Sequence, residues 1–480
     1  HRPGPILIEI RGQPMTDPAD LVELDLEACT AARIDLALAD PELLDRIAEG
    51  GAFGGDYSRS AATAMFKRDH QPAVEDLRAK TRVVEVAPRS WLVRLPIVNS
   101  AVFETDEGLV VCDTAMAPGG PALLEAIRSV SDAPIHTIVY SHGHVDHAYG
   151  TWALMEDEAT IVAGGPRIVA HEGVARRFEY YTRLRGMVAR YMNQPPHHLP
   201  AGRDDFVWPT VEFRDRIELE VGGEPVHVVH HPAETDDQAY VWLPDRRALY
   251  SADYYQGFLP NLGNGKRVQR GTDEWVAALR EMADLGPLAL FPGHGDEITD
   301  PDLIRSELGI HADAIEHIID HVVSGLNRRL RKDLIVDTLD WPERFAAHAT
   351  LKVQYVTPQD IAKMVIKRWT GWWDEIPSHW SPAPLADQAQ TIADLAGGTG
   401  ALVAAARARL EADVAQACHL ADWAWLADPH DPAVQQVVID AYRARILDPA
   451  SNTQEMLVYL DQMGAARALQ MRAEPTPNRG

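Results

Sequence analysis

The stretch His142-Gly143-His144-Val145-Asp146-His147 places four side chains with metal-binding atoms within six residues. It follows directly on the β-branched run Thr137-Ile138-Val139-Tyr140 and on Ser141, so it reads as the loop at the end of a strand. On such a loop, histidines at i and i+2 can face one cation. The aspartate at i+4 and the histidine at i+5 can then face a second cation beside it. Neutral imidazole suits zinc and related metals, and a carboxylate is a common companion ligand. Surface loops also carry histidines, but four potential ligands in this order after a strand point to a metal centre rather than to a solvated turn.

The rest of the chain has the texture that such a centre needs. Short β-rich runs with turn residues between them predict strands over residues 83–86, 91–95, 100–104, 108–113 and 137–140. Further strands are expected near 161–162, 226–229, 239–243 and 288–291, and a helix over 122–130. Strands alternating with helices predict an α/β layered core. After about residue 301 helical spacing takes over, at 304–330 and 359–373. Ala-rich paired helices follow over 401–426 and 433–446, joined by Asp428-Pro429-His430-Asp431-Pro432, without a regular repeat. The first eighty or so residues are acidic, with short helical patterns at 21–38 and 41–47 before a Gly-rich break at 50–55. The expected organisation is an N-terminal wrap (1–82), a catalytic domain (83–300), a helical domain (301–471) and a disordered tail (472–480).

A chain of 480 residues is too long for one ordinary core, which agrees with that division. With 71 acidic against 45 basic residues the net charge is −26, and such a surface repels phosphate backbones, so no nucleic-acid partner is expected. No apolar run approaches the ~18 residues of a membrane span. Cys29, Cys112 and Cys418 form no close pair, so free thiols are expected. The first residue is His rather than Met, so the N-terminus reads as trimmed, and a soluble periplasmic, secreted or cytoplasmic location is open.

The His-x-His-x-Asp-His motif resembles that of the metallo-β-lactamase superfamily. Members carry a further ligand after a later strand, an acid after the next, and a closing histidine. This chain has His230-His231-Pro232-Ala233-Glu234-Thr235-Asp236-Asp237 before the run at 239–243, an apolar run ending in Asp253, and Phe291-Pro292-Gly293-His294. Where the superfamily usually shows His-Thr, Glu234-Thr235 stands here. A glutamate at this point with a second acid nineteen residues on is similar to the alkyl sulfatase-like branch. Trp369-Thr370-Gly371-Trp372-Trp373 with Ile376-Pro377 is similar to the Tyr-x-Gly-Trp-Phe…Pro segment of the alkyl sulfatase dimerisation domain.

The resemblance implies an α/β fold, an αββα sandwich followed by an all-α dimerisation region, and a homodimer. It implies two divalent metal ions, zinc first, with manganese or iron permitted by the carboxylates. His142, His144 and Glu234 would hold one ion, and Asp146, His147 and His294 the other. Asp253 would bridge them, and Asp146 and Asp253 count as catalytic as well as ligating. Two such ions about 3.5–4 Å apart share a water and lower its pKa toward neutrality. His230 and His231 read either as ligands in another register or as strand-end histidines beside the site. Asp113 either hydrogen-bonds a metal-binding histidine or forms a turn. No counterpart of the sterol-carrier-like domain of the long alkyl sulfatases is expected.

The resemblance also implies polar and cationic donors for the substrate after Asp253, and Asn261, Asn264, Lys266, Arg267 and Arg270 follow there. The family's Arg-Gly-Ala and Arg-Asp steps are missing. Its arginine beyond the last metal histidine is replaced by Gly309-Ile310-His311-Ala312-Asp313. The loop reads either as an anion site or as an exposed basic surface. The expected function is hydrolysis of a small anionic sulfate-type ester, an alkyl sulfate or a sulfamate ester. The alternatives are hydrolysis of a phosphoester, lactone or carboxylic ester, and a non-catalytic dimeric scaffold.

Overall fold

The computed structural model describes residues 6–9, 21–24, 26–49, 74–96, 98–191 and 199–473. These form two compact units. Among the described residues, one contains 74–96, 98–191 and 199–374, and the other contains 6–9, 21–24, 26–49 and 375–473. In the second, β1 (Ile6–Glu9) pairs antiparallel with β2 (Leu21–Leu24).

The larger unit is built on two sheets. The first takes its strands in chain order: β3 (Arg82–Ala87), β4 (Ser90–Arg94), β5 (Asn99–Glu104), β6 (Leu109–Cys112), β7 (Ile135–Val139), β8 (Arg167–His171) and β9 (Val211–Phe213). Pairing is antiparallel as far as β6 and parallel from β6 to β9. The second sheet holds β10 (Arg216–Val221), β11 (Glu224–His230), β12 (Ala239–Leu243), β13 (Ala248–Ala252) and β14 (Ala289–Pro292), with β13 and β14 parallel. The strands covered on both faces, β6, β12, β13 and β14, are buried at every residue, which is why they read as continuous apolar runs rather than as alternating ones.

Phe103, Val110, Val139, Val228, Val241, Tyr250 and Phe291 fill the layer between the sheets. The outer face of the second sheet, with Trp242, Leu249 and Leu290, packs on the helices Asp273–Asp284 and Pro301–Asn327 through Trp275, Leu279, Leu308 and Ile315. The long helix starts where it does because Asp300 accepts hydrogen bonds from the amides of Asp302 and Leu303, with Pro301 in the first turn. Helix Pro358–Trp369 belongs to the same core through Ile361 and Val365, so the compact unit extends to Asp374. The change of texture at residue 301 is therefore not a boundary between compact units.

Apart from the β1–β2 pair, the smaller unit is helical. Helix Leu26–Ala39 lies along Thr453–Ala473, and Arg33 pairs with Asp461 at 3.1 Å. Pro41–Glu49 packs on Pro432–Leu447, where Arg443 bonds Asp40 and Glu42. Residues 26–49 thus belong with the C-terminal helices.

Three local expectations change. Residues 161–162 lie in helix Glu158–Val162, because Asp157 caps it by accepting from the Thr160 amide; the strand comes later, as β8. The segment 21–38 divides into β2 and a helix beginning at Leu26. The segment 401–426 divides into Thr399–Arg407 and Val414–Ala427, the second capped by Asp413. The Gly-rich break at 50–55 and residues 474–480 of the tail lie outside the described residues. Among the described residues no helix is long and apolar enough to cross a membrane, and Cys112 and Cys418 are free thiols.

Candidate metal centre

Chemistry collects where strands end. β6 runs into Asp113, β7 into the 141–147 loop, β13 into Asp253 and β14 into His294. Parallel pairing of β6 with β7 and of β13 with β14 sends those ends to the same edge of the sandwich, the usual place for a site in α/β sheets.

Three clusters form there: His142, His144 and Glu234; Asp146, His147 and His294; and His142, His147 and Asp253. Within each, the ligand atoms lie within 4.8 Å of one another. His142 Nε2 and His144 Nδ1 stand 2.9 Å apart. Asp253 Oδ1 is 3.3 Å from both His147 Nε2 and His294 Nε2, and Asp146 Oδ2 is 3.6 and 3.8 Å from the same two nitrogens. All seven residues that the sequence singles out as ligands are therefore brought together. His230 and His231 are not among them. His230 stacks on His171 at 3.7 Å, and His231 Nε2 meets Glu281 at 2.8 Å.

The surroundings orient these groups. Asp113 is fully buried and accepts from the Ser141 amide (2.7 Å), Ser141 Oγ (2.6 Å), Tyr250 OH (2.5 Å) and His147 Nδ1 (2.7 Å). The last bond leaves His147 Nε2 free to point at Asp146 and Asp253, the usual arrangement behind a metal-binding histidine. Arg177 Nε donates to Asp237 Oδ1 at 2.7 Å, and Asp237 Oδ2 accepts the Gly143 amide at 2.8 Å, which ties down the loop between His142 and His144. Gly293 must be glycine, because a Cβ there would stand 2.6 Å from Asp253 Oδ1 and 2.9 Å from the Ala252 carbonyl carbon. Arg177, Asp237 and Gln256, which sits beside Glu234 and Asp253, were not legible from the sequence, since nothing local marks them.

Electrostatics separate the imidazoles into two kinds. Burial, with His147 nearby, lowers His142 to about 4. Burial and His142 hold His144 well below the usual range. Both are therefore neutral, as ligation requires. Burial also pulls on His147 and His294, but the carboxylates outweigh it. Asp253, Asp146 and Asp113 raise His147 well above its ordinary value, and Asp253 with Asp146 raises His294 to about 9. Burial pushes Glu234 up to about 8 against the pull of Arg270, and burial lowers Arg270 despite Glu234.

This arrangement fits divalent ions. His147 Nε2 and Asp253 Oδ1 are buried without a hydrogen-bond partner among the described residues, a state that costs about 1–3 kcal/mol for each group. With His147 neutral and its proton on Nδ1 toward Asp113, both atoms carry a lone pair, and they stand 3.3 Å apart.

The segment after Asp253 divides. Asn261 Nδ2 donates to Glu234 Oε1 at 3.0 Å, and Arg270 Nη1 donates to Glu234 Oε1 and to the Asn261 carbonyl. Both residues are buried and serve the carboxylate rather than solvent. Asn264 caps the turn, its Oδ1 accepting the Lys266 amide at 3.0 Å. Arg267 is half-buried, and its charge acts on Tyr181, Tyr355 and Arg270.

Residues 93–294 match the metallo-beta-lactamase superfamily, and residues 332–469 match the alkyl sulfatase dimerisation family. Relatives include a linear primary-alkylsulfatase from Pseudomonas sp. (strain ATCC 19151), 29% identical over 71% of this chain and 69% of that protein. The alkyl/aryl-sulfatase BDS1 of Saccharomyces cerevisiae is 23% identical over 65% of this chain and 52% of its own length. An (R)-specific secondary-alkylsulfatase from Pseudomonas sp. is 24% identical over 74% and 58%. The chain thus spans little more than half the length of the last two. The solved structure of the stereoselective inverting sec-alkylsulfatase Pisa1 from Pseudomonas sp. superposes with a TM-score of 0.71, covering 93% of this chain and 78% of that one at 21% identity, which shows the shared fold. Residues 93–294 thus carry a metallo-β-lactamase superfamily domain, and together with the joined dimerisation region and the alkylsulfatase relatives they match the alkyl sulfatase-like branch.

Proposed function

We propose that this protein is a metal-dependent hydrolase of sulfate esters, with an alkyl sulfate as substrate. The observation that carries the reading is the convergence of seven ligating side chains at one sheet edge, in a chain whose relatives are named alkylsulfatases. His142, His144 and Glu234 would hold one ion, Asp146, His147 and His294 a second, with Asp253 between them. Divalent ions there would activate water and offset charge on the ester oxygens.

The chain's own groups supply the rest. Asp113 fixes the His147 ring, and the Arg177–Asp237 pair fixes the His142–His144 loop. Of the loop's two arginines, Arg267 is the one left to receive the sulfate group, because Arg270 is committed to Glu234. A guanidinium fork suits sulfate oxygens. Burial raises the Tyr181 and Tyr355 hydroxyls, Tyr181 to about 12, so they stay protonated and act as donors rather than bases. The dimerisation-family match supports a homodimer.

The test is a panel of alkyl sulfates, sulfamate esters, phosphoesters, lactones and carboxylic esters on metal-replete protein, with anion release read by ion chromatography. Sulfate release should dominate. His144→Ala and Asp253→Ala should abolish it while the fold persists, and Arg267→Ala should lower kcat/KM without changing metal content. Release of phosphate or carboxylate alone would overturn the reading.

A further inference from the structure

Gln256 lies three residues beyond Asp253 and is 4% exposed. Its amide has only one workable orientation. The Asn261 backbone amide can only donate, and it meets Gln256 Oε1 at 3.3 Å, so the NH2 group must face the other way. There it donates to Glu234 Oε2 at 3.1 Å and to Asp253 Oδ2 at 3.0 Å. These carboxylates come from different loops, one after β11 and one after β13, and belong to different clusters: Glu234 with His142 and His144, Asp253 with His142 and His147.

We propose that Gln256 is a positioning residue that joins the two halves of the metal centre, one amide pinning one oxygen of each carboxylate. For Asp253 the consequence is direct. With Oδ2 held by Gln256, Oδ1 is the oxygen presented to His147 Nε2 and His294 Nε2, at 3.3 Å from each. For Glu234 the amide completes a set of donors, since Asn261 and Arg270 already hold Oε1. Without the amide, each carboxylate loses a buried donor and is free to turn its lone pairs away from the imidazoles. Partners of ligating groups typically set metal affinity by 10–100-fold. The inference rests on the metal-centre reading above.

The experiment is zinc titration of the metal-free full-length protein against a chromophoric chelator, for wild type, Gln256→Met and Gln256→Asn. Methionine keeps the volume and removes the donor. Asparagine keeps the amide but shortens its reach by one methylene. Wild type should take up two zinc ions, and both variants should bind at least one of them roughly 10–100-fold more weakly. The visible spectrum of the cobalt(II)-loaded variants should differ from that of wild type, because the ligand geometry changes. A folded variant with wild-type zinc affinity and cobalt spectrum would overturn the proposal. So would a fall in the metal-free melting temperature large enough to account for the weaker binding, since that would make Gln256 a packing residue. Wild type that binds no zinc would reject the metal-centre reading itself.

Discussion

Replacing Asp113 by asparagine tests whether His147 is held as a ligand. The side chains have the same shape, so the response depends on hydrogens alone. The Ser141 backbone amide, 2.7 Å from Asp113 Oδ1, can only donate, so the asparagine carbonyl must stay there. The NH2 group then takes the place of Oδ2, which in the wild type accepts from Ser141 Oγ, Tyr250 OH and His147 Nδ1. The two hydroxyls can rotate and accept. His147 Nδ1 can accept only if its proton moves to Nε2, and a protonated Nε2 has no lone pair for a metal. Asp113→Asn should therefore weaken the Asp146–His147–His294 site by roughly 10–100-fold, about 1.4–2.8 kcal/mol. Zinc competition would show close to one ion retained at a chelator concentration where wild type keeps two. Urea unfolding of the metal-free proteins should differ by less than about 3 kcal/mol, the scale of one charge-assisted hydrogen bond. Two ions held at wild-type affinity would refute the tautomer argument, as would a metal-free variant that does not fold.

Gly150→Ala should destabilise the larger unit by about 3 kcal/mol or more by chemical denaturation, because a Cβ there would stand 1.9 Å from the Thr114 carbonyl oxygen, which is backbone and cannot yield. The Arg128 bond to Asp157, assisted by Thr160, lowers Asp157 to about 2 from an ordinary 3.8. A carboxyl held below its unfolded value stabilises the fold above that value and loses the effect as pH falls through the folded one, so this part of the stability, about 2 kcal/mol, is present above pH 4 and vanishes toward pH 2. The gap between wild type and Arg128→Ala in denaturant midpoint should narrow over that window; a gap independent of pH would reject the assignment. Light scattering at micromolar concentration should give the mass of a homodimer, and Trp372→Glu, at a 74% exposed position next to helix Pro358–Trp369, should shift it toward the monomer. A wild-type monomer would reject the dimer.

The sequence alone picked out the seven candidate ligands that the fold brings together. Six residues of loop after a β-branched run carry their meaning locally, because strand direction and side-chain spacing decide which atoms share a cation, and the later acids and histidine also close apolar strand-like runs. It also announced most strands and the long helices, whose periodicity and caps lie within a few residues. What it could not announce are interactions between groups distant in sequence and without a common period. Asp113 reaches His147 across 34 positions and Tyr250 across 137; Asp237 reaches Gly143 across 94. Arg270 reads in sequence as a free cation beside the site, and only packing shows it buried on Glu234. Helix Leu26–Ala39, an isolated acidic segment by sequence, finds its apolar partner in Thr453–Ala473. A hydrogen bond or a helix contact of that span is selected by how the layers close, since burial withdraws water and leaves each polar group to the nearest donor or acceptor that the fold supplies.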